Sequence, residues 1–127
     1  MTSEDLSGFL PGQHSIDAVG NGGFRFADMS HRGSILILPT GIYAWRVKGA
    51  DEFSRGQFQA VLDAAPDIDI FIIGTGSQTA VLADDLRWAL RSARLNVDIM
   101  PTLAAARTFN VLLNEQRRIA AALIAVP

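Results

Sequence analysis

The part of this 127-residue chain best suited to chemistry is Gly74-Thr75-Gly76-Ser77-Gln78. It follows an apolar run that reads as a buried strand and leads toward a helical pattern, a setting in which backbone amides can converge on a phosphate or carboxylate. The segment lacks the third glycine of a dinucleotide fingerprint, which would fall near Thr79, and the Gly-Lys-Ser/Thr of a P-loop. Two readings stay open: a small-anion site, or two glycines that a tight turn requires.

Downstream, Thr108, Asn110, Glu115 and Arg117 offer polar groups that could complete such a site, and Arg107 and Arg118 offer further positive charge. Asn110 lies in a helical stretch beside Phe109, where a half-buried amide must find partners. The favoured reading is a structural anchor to a neighbouring loop. Thr108 either bonds its own helix backbone or lines a pocket. Glu115 and Arg117 can pair with each other across a helix end, or reach strands of the first half; an exposed pair contributes about 0–1 kcal/mol.

No catalytic residue is assigned. Ser77 lacks the Gly-x-Ser-x-Gly setting of a nucleophile elbow. The absence of cysteine removes disulfides, thiolate catalysis and cysteine-ligated zinc. His14 with Asp17, and His31 with Asp28, are too sparse for a metal site, so neither metal nor cofactor is expected. Trp45 falls in an apolar strand and reads as core. Trp88, between Asp85 and Arg91 on the less apolar side of a helix, is the candidate interaction surface, with a ring cushioned by a neighbouring loop as the alternative.

A fold of one domain must position these groups. With 49% hydrophobic and 19% charged residues the chain reads as globular, and a net charge of −2 with scattered Lys and Arg gives no footprint for nucleic acid. Residues 1–14, with Ser3, Ser7, Gly8, Pro11 and Gly12, read as a flexible arm preceding a domain over 15–127. The N-terminus lacks a secretory pattern, and the apolar runs 35–38 and 68–73 are far shorter than a membrane span. A cytoplasmic protein without membrane insertion is expected.

Between residues 15 and 47, short apolar runs alternate with turn residues such as Gly20-Asn21-Gly22-Gly23, Gly33 and Pro39-Thr40-Gly41, which predicts a hairpin-rich antiparallel region. The second half changes rhythm. Residues 52–65 place Phe53, Phe58, Val61, Leu62 and Ala65 near one side of a helix that Pro66 stops. Residues 68–73 read as a strand buried on both faces, 82–93 as an amphipathic helix, and 96–100 as a short strand. Thr102 is the expected N-cap of a third helix ending near Gln116 or Arg117. Residues 119–126 fit either a helical extension or a last strand.

These residues together resemble the small Mth-domain proteins, from about Gly22 to Ile124. The resemblance is carried by Gly23-Phe24, Gly33 to Pro39, Trp45, Pro66, Gly74-Thr75-Gly76, Thr102, Ala105, Thr108-Phe109-Asn110, Leu112, Glu115, Arg117 and Ala121-Ala122-Leu123. The family usually has Gly where this chain has Gln116, so the turn after the third helix is expected to differ. The resemblance implies an α/β domain of α+β character, with a mixed sheet, about three helices packed on it and a final strand over 119–126. It also implies a protein without established catalysis, related to mitochondrial factors associated with assembly of a respiratory complex. A non-catalytic domain for an unidentified protein partner is the expected function. The competing reading is a small-anion or nucleotide-binding protein, or an uncharacterised enzyme, built on the Gly74-Thr75-Gly76 loop.

Overall fold

The computed structural model describes residues 9–127. Six strands form a mixed sheet and three more form a separate antiparallel sheet. The large sheet contains β1 (Leu10–Pro11), β5 (Ser34–Leu38), β6 (Gly41–Trp45), β7 (Ile70–Gly74), β8 (Asn96–Met100) and β9 (Ile119–Leu123), in the order β1-β6-β5-β9-β7-β8. The small sheet consists of β2 (Ala18–Gly20), β3 (Gly23–Phe26) and β4 (Met29–Arg32). The helices are α1 (Gln59–Ala64), α2 (Asp84–Ser92) and α3 (Thr102–Asn114).

The hairpin-rich first half is present. Asn21 and Gly22, with φ of 55° and 79°, form the two-residue turn between β2 and β3, the backbone that Asn-Gly favours. The expected arm lies outside the described residues as far as residue 8. Beyond that point structure begins earlier than Ser15: Leu10 and Pro11 pair with Ile42 and Gly41, and Gln13 Nε2 donates to the carbonyls of Leu38 and Ile119 at 3.0 and 2.8 Å. Local composition carries no trace of these distant partners.

Residues 119–123 form a strand at the centre of the sheet, antiparallel to β5 and parallel to β7. All five of its residues are buried. Alternation divides the core in two. Leu36, Phe71, Ile73, Ala120 and Ala122 face α1 and α2. Ile35, Ile37, Ile72, Ala121 and Leu123 face α3 and the small sheet's Phe24 and Phe26. Each large side chain so buried stabilises the fold by about 1.5–3 kcal/mol relative to exposure.

The expected helix over residues 52–65 is mostly absent. It is replaced by the 3-10 turns Ala50–Glu52 and Arg55–Phe58, the short α1, and a further 3-10 turn at Ala65–Asp67. Phe53 and Phe58, five residues apart, would point about 140° from each other on an α-helix. Both instead pack on Trp45, with ring centroids at 5.9 and 5.4 Å. The Trp45 indole also donates to the Gln57 carbonyl at 3.1 Å, drawing that carbonyl into a tertiary bond.

The parallel pairs β7·β8 and β7·β9 require crossovers. The chain steps from β7 outward to β8 through α2, then returns past β7 to β9 through α3. With both crossovers of the usual hand, opposite steps place the two helices on opposite faces, as the two core clusters have them. The reversal is centred on the C-terminal end of β7, where Gly74-Thr75-Gly76 lies.

Candidate functional site

A sheet in which the strand order reverses opens a crevice at its carboxyl edge, the usual place for a ligand. Here Thr102 fills it. Its buried hydroxyl accepts the Gly76 amide at 2.9 Å and donates to the Ile124 carbonyl at 2.7 Å. The Thr102 amide returns to the Gly76 carbonyl at 2.8 Å, and the Ile124 amide donates to the Gly74 carbonyl at 3.0 Å. The loop and the C-terminal end of β9 are thereby bonded to the first turn of α3.

Both glycines have structural reasons. A Cβ on Gly74 would lie 3.0 Å from the Thr102 Cα and 3.0 Å from its hydroxyl, so glycine permits the close approach. Gly76 has φ of 104°, a conformation that a side chain opposes. Thr75 is buried; its amide donates to the Met100 carbonyl at 3.0 Å and its hydroxyl to the Gln78 carbonyl at 2.5 Å. The amides of Thr75 and Gly76 are therefore already bonded within the protein. Ser77 and Gln78 are exposed, and α2 begins only at Asp84, with Asp84 and Asp85 placing negative charge in its first turn.

The expected N-cap role of Thr102 is not observed. Thr102 is the first residue of α3 and Pro101 occupies the cap position without a side-chain bond. The hydroxyl is held by Gly76 and Ile124, partners that local spacing cannot reveal.

α3 separates the remaining candidates from the loop. At a rise of about 1.5 Å per residue, Asn110 lies about 12 Å along the axis from Thr102, and the helix end near Arg117 about 20 Å. Asn110 grips the backbone of Ile16: its Oδ1 accepts the amide and its Nδ2 donates to the carbonyl, both at 2.8 Å. Thr108 is half-buried and its hydroxyl lies 3.5 Å from Met100 Sδ, a contact with β8.

Beyond α3 the chain makes a regular C-terminal turn. The Gln116 amide bonds to the Leu113 carbonyl and the Arg117 amide to the Leu112 carbonyl, with Gln116 left-handed at φ 59°. Gln116 thus adopts the left-handed conformation that glycine favours at this position. Glu115 and Arg117 are exposed, and no ion pair joins them among the described residues. The ion pair at this end is instead Arg118 with Asp69, at 2.7 Å from Nη2 and 3.1 Å from Nε. The hydrogen-bonded guanidinium holds the Asp69 carboxyl below its ordinary pKa, and the carboxylate raises that of Arg118. Forty-nine residues separate the two, so spacing gave no signal for this pair.

The two histidines lie against backbone: His14 Nε2 is 3.2 Å from the Pro11 carbonyl and His31 Nε2 is 3.3 Å from that of Ser34. Trp45 is buried, as expected. Trp88 is 67% exposed, so no loop among the described residues covers its ring. It shares the outer face of α2 with Asp84, Arg87 and Arg91. The same two arginines border a cleft of about 300 Å³ between α2 and β8, floored by Leu82, Leu90, Leu95, Val97 and Ile99. Sequence reasoning found Trp88 but missed the cleft, which exists only where helix and edge strand meet. No helix among the described residues is long and apolar enough to cross a membrane.

Comparison with known proteins gives this arrangement a family. Residues 16–124 match the model of the family described as a protein of unknown function (DUF498/DUF598). An uncharacterized protein of Rhodobacter capsulatus is 36% identical over 96% of this chain and 90% of its own. The human NADH dehydrogenase (ubiquinone) 1 alpha subcomplex assembly factor 3 is 30% identical over 88% of this chain. This chain spans only 61% of that relative's length. A crystal structure of an outer membrane protein from Bartonella henselae superimposes with a TM-score of 0.88 at 49% identity, covering 92% of this chain and 98% of that one. A Mth-like domain from Bordetella pertussis, at 21% identity, TM-score 0.76 and coverage of 88% and 85%, shares the fold. Matched over residues 16–124, the chain belongs to the family described as DUF498/DUF598 and shares the mixed α/β fold of the Mth-like domain.

Proposed function

We propose that this domain is a non-catalytic, assembly-factor-like module that docks a protein partner on the outer face of α2. The observation that carries the reading is Trp88, a large ring 67% exposed between two arginines at the border of an apolar cleft. Exposed tryptophans flanked by arginine are characteristic anchors of protein interfaces. The relatives named as assembly factors support the same class of function, although this chain spans less than two thirds of their length. The cytoplasm is proposed as its place of action, supported by a composition free of cysteine.

The Gly74-Thr75-Gly76 loop supports a ligand site less well. Its first two usable amides bond to Met100 and Thr102, and α2, the helix that follows the loop, begins with two aspartates. Pull-down from native lysate with wild type and Trp88→Ala tests the docking reading. Partners retained by wild type should be lost from the variant; equal recovery by both would overturn the assignment of this face.

A further inference from the structure

We propose that the free edge of β8, together with the cleft beside it, binds an extended peptide segment of a partner protein as a seventh strand of the sheet, with carboxylates of that segment reaching Arg87 and Arg91. This occupant rests on the docking reading of the α2 face and specifies what docks there.

The backbone register supplies the edge. Among the described residues β8 is the terminal strand, paired only with β7. The Asn96 amide donates to the Asp69 carbonyl and the Met100 carbonyl accepts from Thr75, so Asn96, Asp98 and Met100 direct their backbone groups toward β7. By alternation, the amides and carbonyls of Val97 and Ile99 point away from the sheet, where a further strand would meet them. The side chains of these same two residues are only half-buried and floor the cleft under α2. A strand added here would place alternate side chains beside Val97 and Ile99, gaining main-chain bonds from the edge and apolar contact from the cleft.

Charge selects the occupant. The cleft's charged border is Arg87 and Arg91, both exposed, and Asp84 engages Arg87 only at 3.8 Å. Carboxylates on the cleft side of the incoming strand therefore have guanidinium partners. On the opposite face the exposed Asp98 favours a basic residue across from it. A second copy of this chain fits less well. Antiparallel pairing of two β8 strands about their midpoint sets Asp98 directly against Asp98, and brings both arginine borders to one side of the joined sheet. Like charges opposed on both faces disfavour that pairing.

The experiment pans displayed random peptides against the full chain, then titrates the enriched synthetic peptides into isotope-labelled protein followed by NMR. Enriched peptides should carry apolar and acidic residues on one face, at every second position, with basic residues among the positions between them, and should shift the amides of Val97 and Ile99 most. Affinity should fall about tenfold or more in the exposed double variant Arg87→Glu/Arg91→Glu, and with added salt. Val97→Pro removes an N–H that points away from β7, so it should block the added strand while sparing the ladder; the arginine variant serves if the proline unfolds β8. No enrichment, shifts confined to other surfaces, or binding undiminished in the arginine variant would overturn the proposal. A concentration-dependent dimer dissociated by Arg87→Glu/Arg91→Glu would give the edge to a second copy and overturn it too. Lysate partners lost with Trp88→Ala but retained by the edge variants would leave docking on α2 standing and remove strand addition alone.

Discussion

The buried hydroxyl of Thr102 accepts the Gly76 amide at 2.9 Å and donates to the Ile124 carbonyl at 2.7 Å, closing the crevice that the reversed strand order would otherwise open. Thr102→Val keeps the shape and removes both bonds, leaving a buried donor and a buried acceptor unpaired. At about 1–3 kcal/mol for each of these two groups, denaturant unfolding should show a loss of about 2–6 kcal/mol. Thr102→Ser, which keeps the hydroxyl, should lose clearly less. Equal losses would mean that the methyl, not the hydrogen bonds, holds the junction.

Asn110 holds Ile16 through both backbone groups, tying the segment before β2 to α3. Asn110→Ala should cost about 1–3 kcal/mol. Hydrogen exchange should show the Ile16 amide and the small sheet losing protection before β5, β7 and β9 do. Uniform loss across both sheets would show that the small sheet does not open separately.

Gln116 adopts φ of 59° in the turn after α3. A side chain in this conformation costs about 1 kcal/mol, partly offset by the greater freedom glycine has in the unfolded chain. Gln116→Gly should therefore stabilise the domain by about 0.5 kcal/mol, read as a higher denaturation midpoint with unchanged slope. A lower midpoint would show that the glutamine side chain makes a compensating contribution.

The Asp69 carboxyl is held below its ordinary pKa by its hydrogen bond to Arg118 and by the charges of Arg118 and Arg117. A depressed folded pKa stabilises the fold above the unfolded carboxyl value, about 3.9, and that contribution is lost as pH falls through the folded value. Asp69→Asn should melt slightly below wild type at neutral pH, and the difference should close in acid. The pair is exposed, so added salt should narrow the gap as well. A gap independent of pH would show that the carboxylate charge is not its source.

Periodicity and turn chemistry made much of the architecture legible. The hairpin turn at Asn21-Gly22, the strands at 70–74 and 96–100 and helices α2 and α3 follow from residue type within a few positions of each other. The strand at 119–123 was open on periodicity alone, because alanine-rich runs suit a helix as well as a crowded central strand; family resemblance favoured the strand. The long helix expected after residue 52 failed because Trp45, outside that stretch, gathers Phe53 and Phe58 from positions that an α-helix holds apart.

For the candidate site, the sequence by itself determined which polar residues lie in apolar surroundings and that Trp88 falls on the less apolar side of its helix. Only the tertiary structure decided where their bonds go. Thr102 bonds to residues 22 and 26 positions away, Asn110 to one 94 away, and Arg118 to one 49 away. Hydrogen-bond direction and burial are set by which strands become neighbours. That order, which places β9 between β5 and β7 and leaves β8 at the edge beside α2, arises from packing the whole chain.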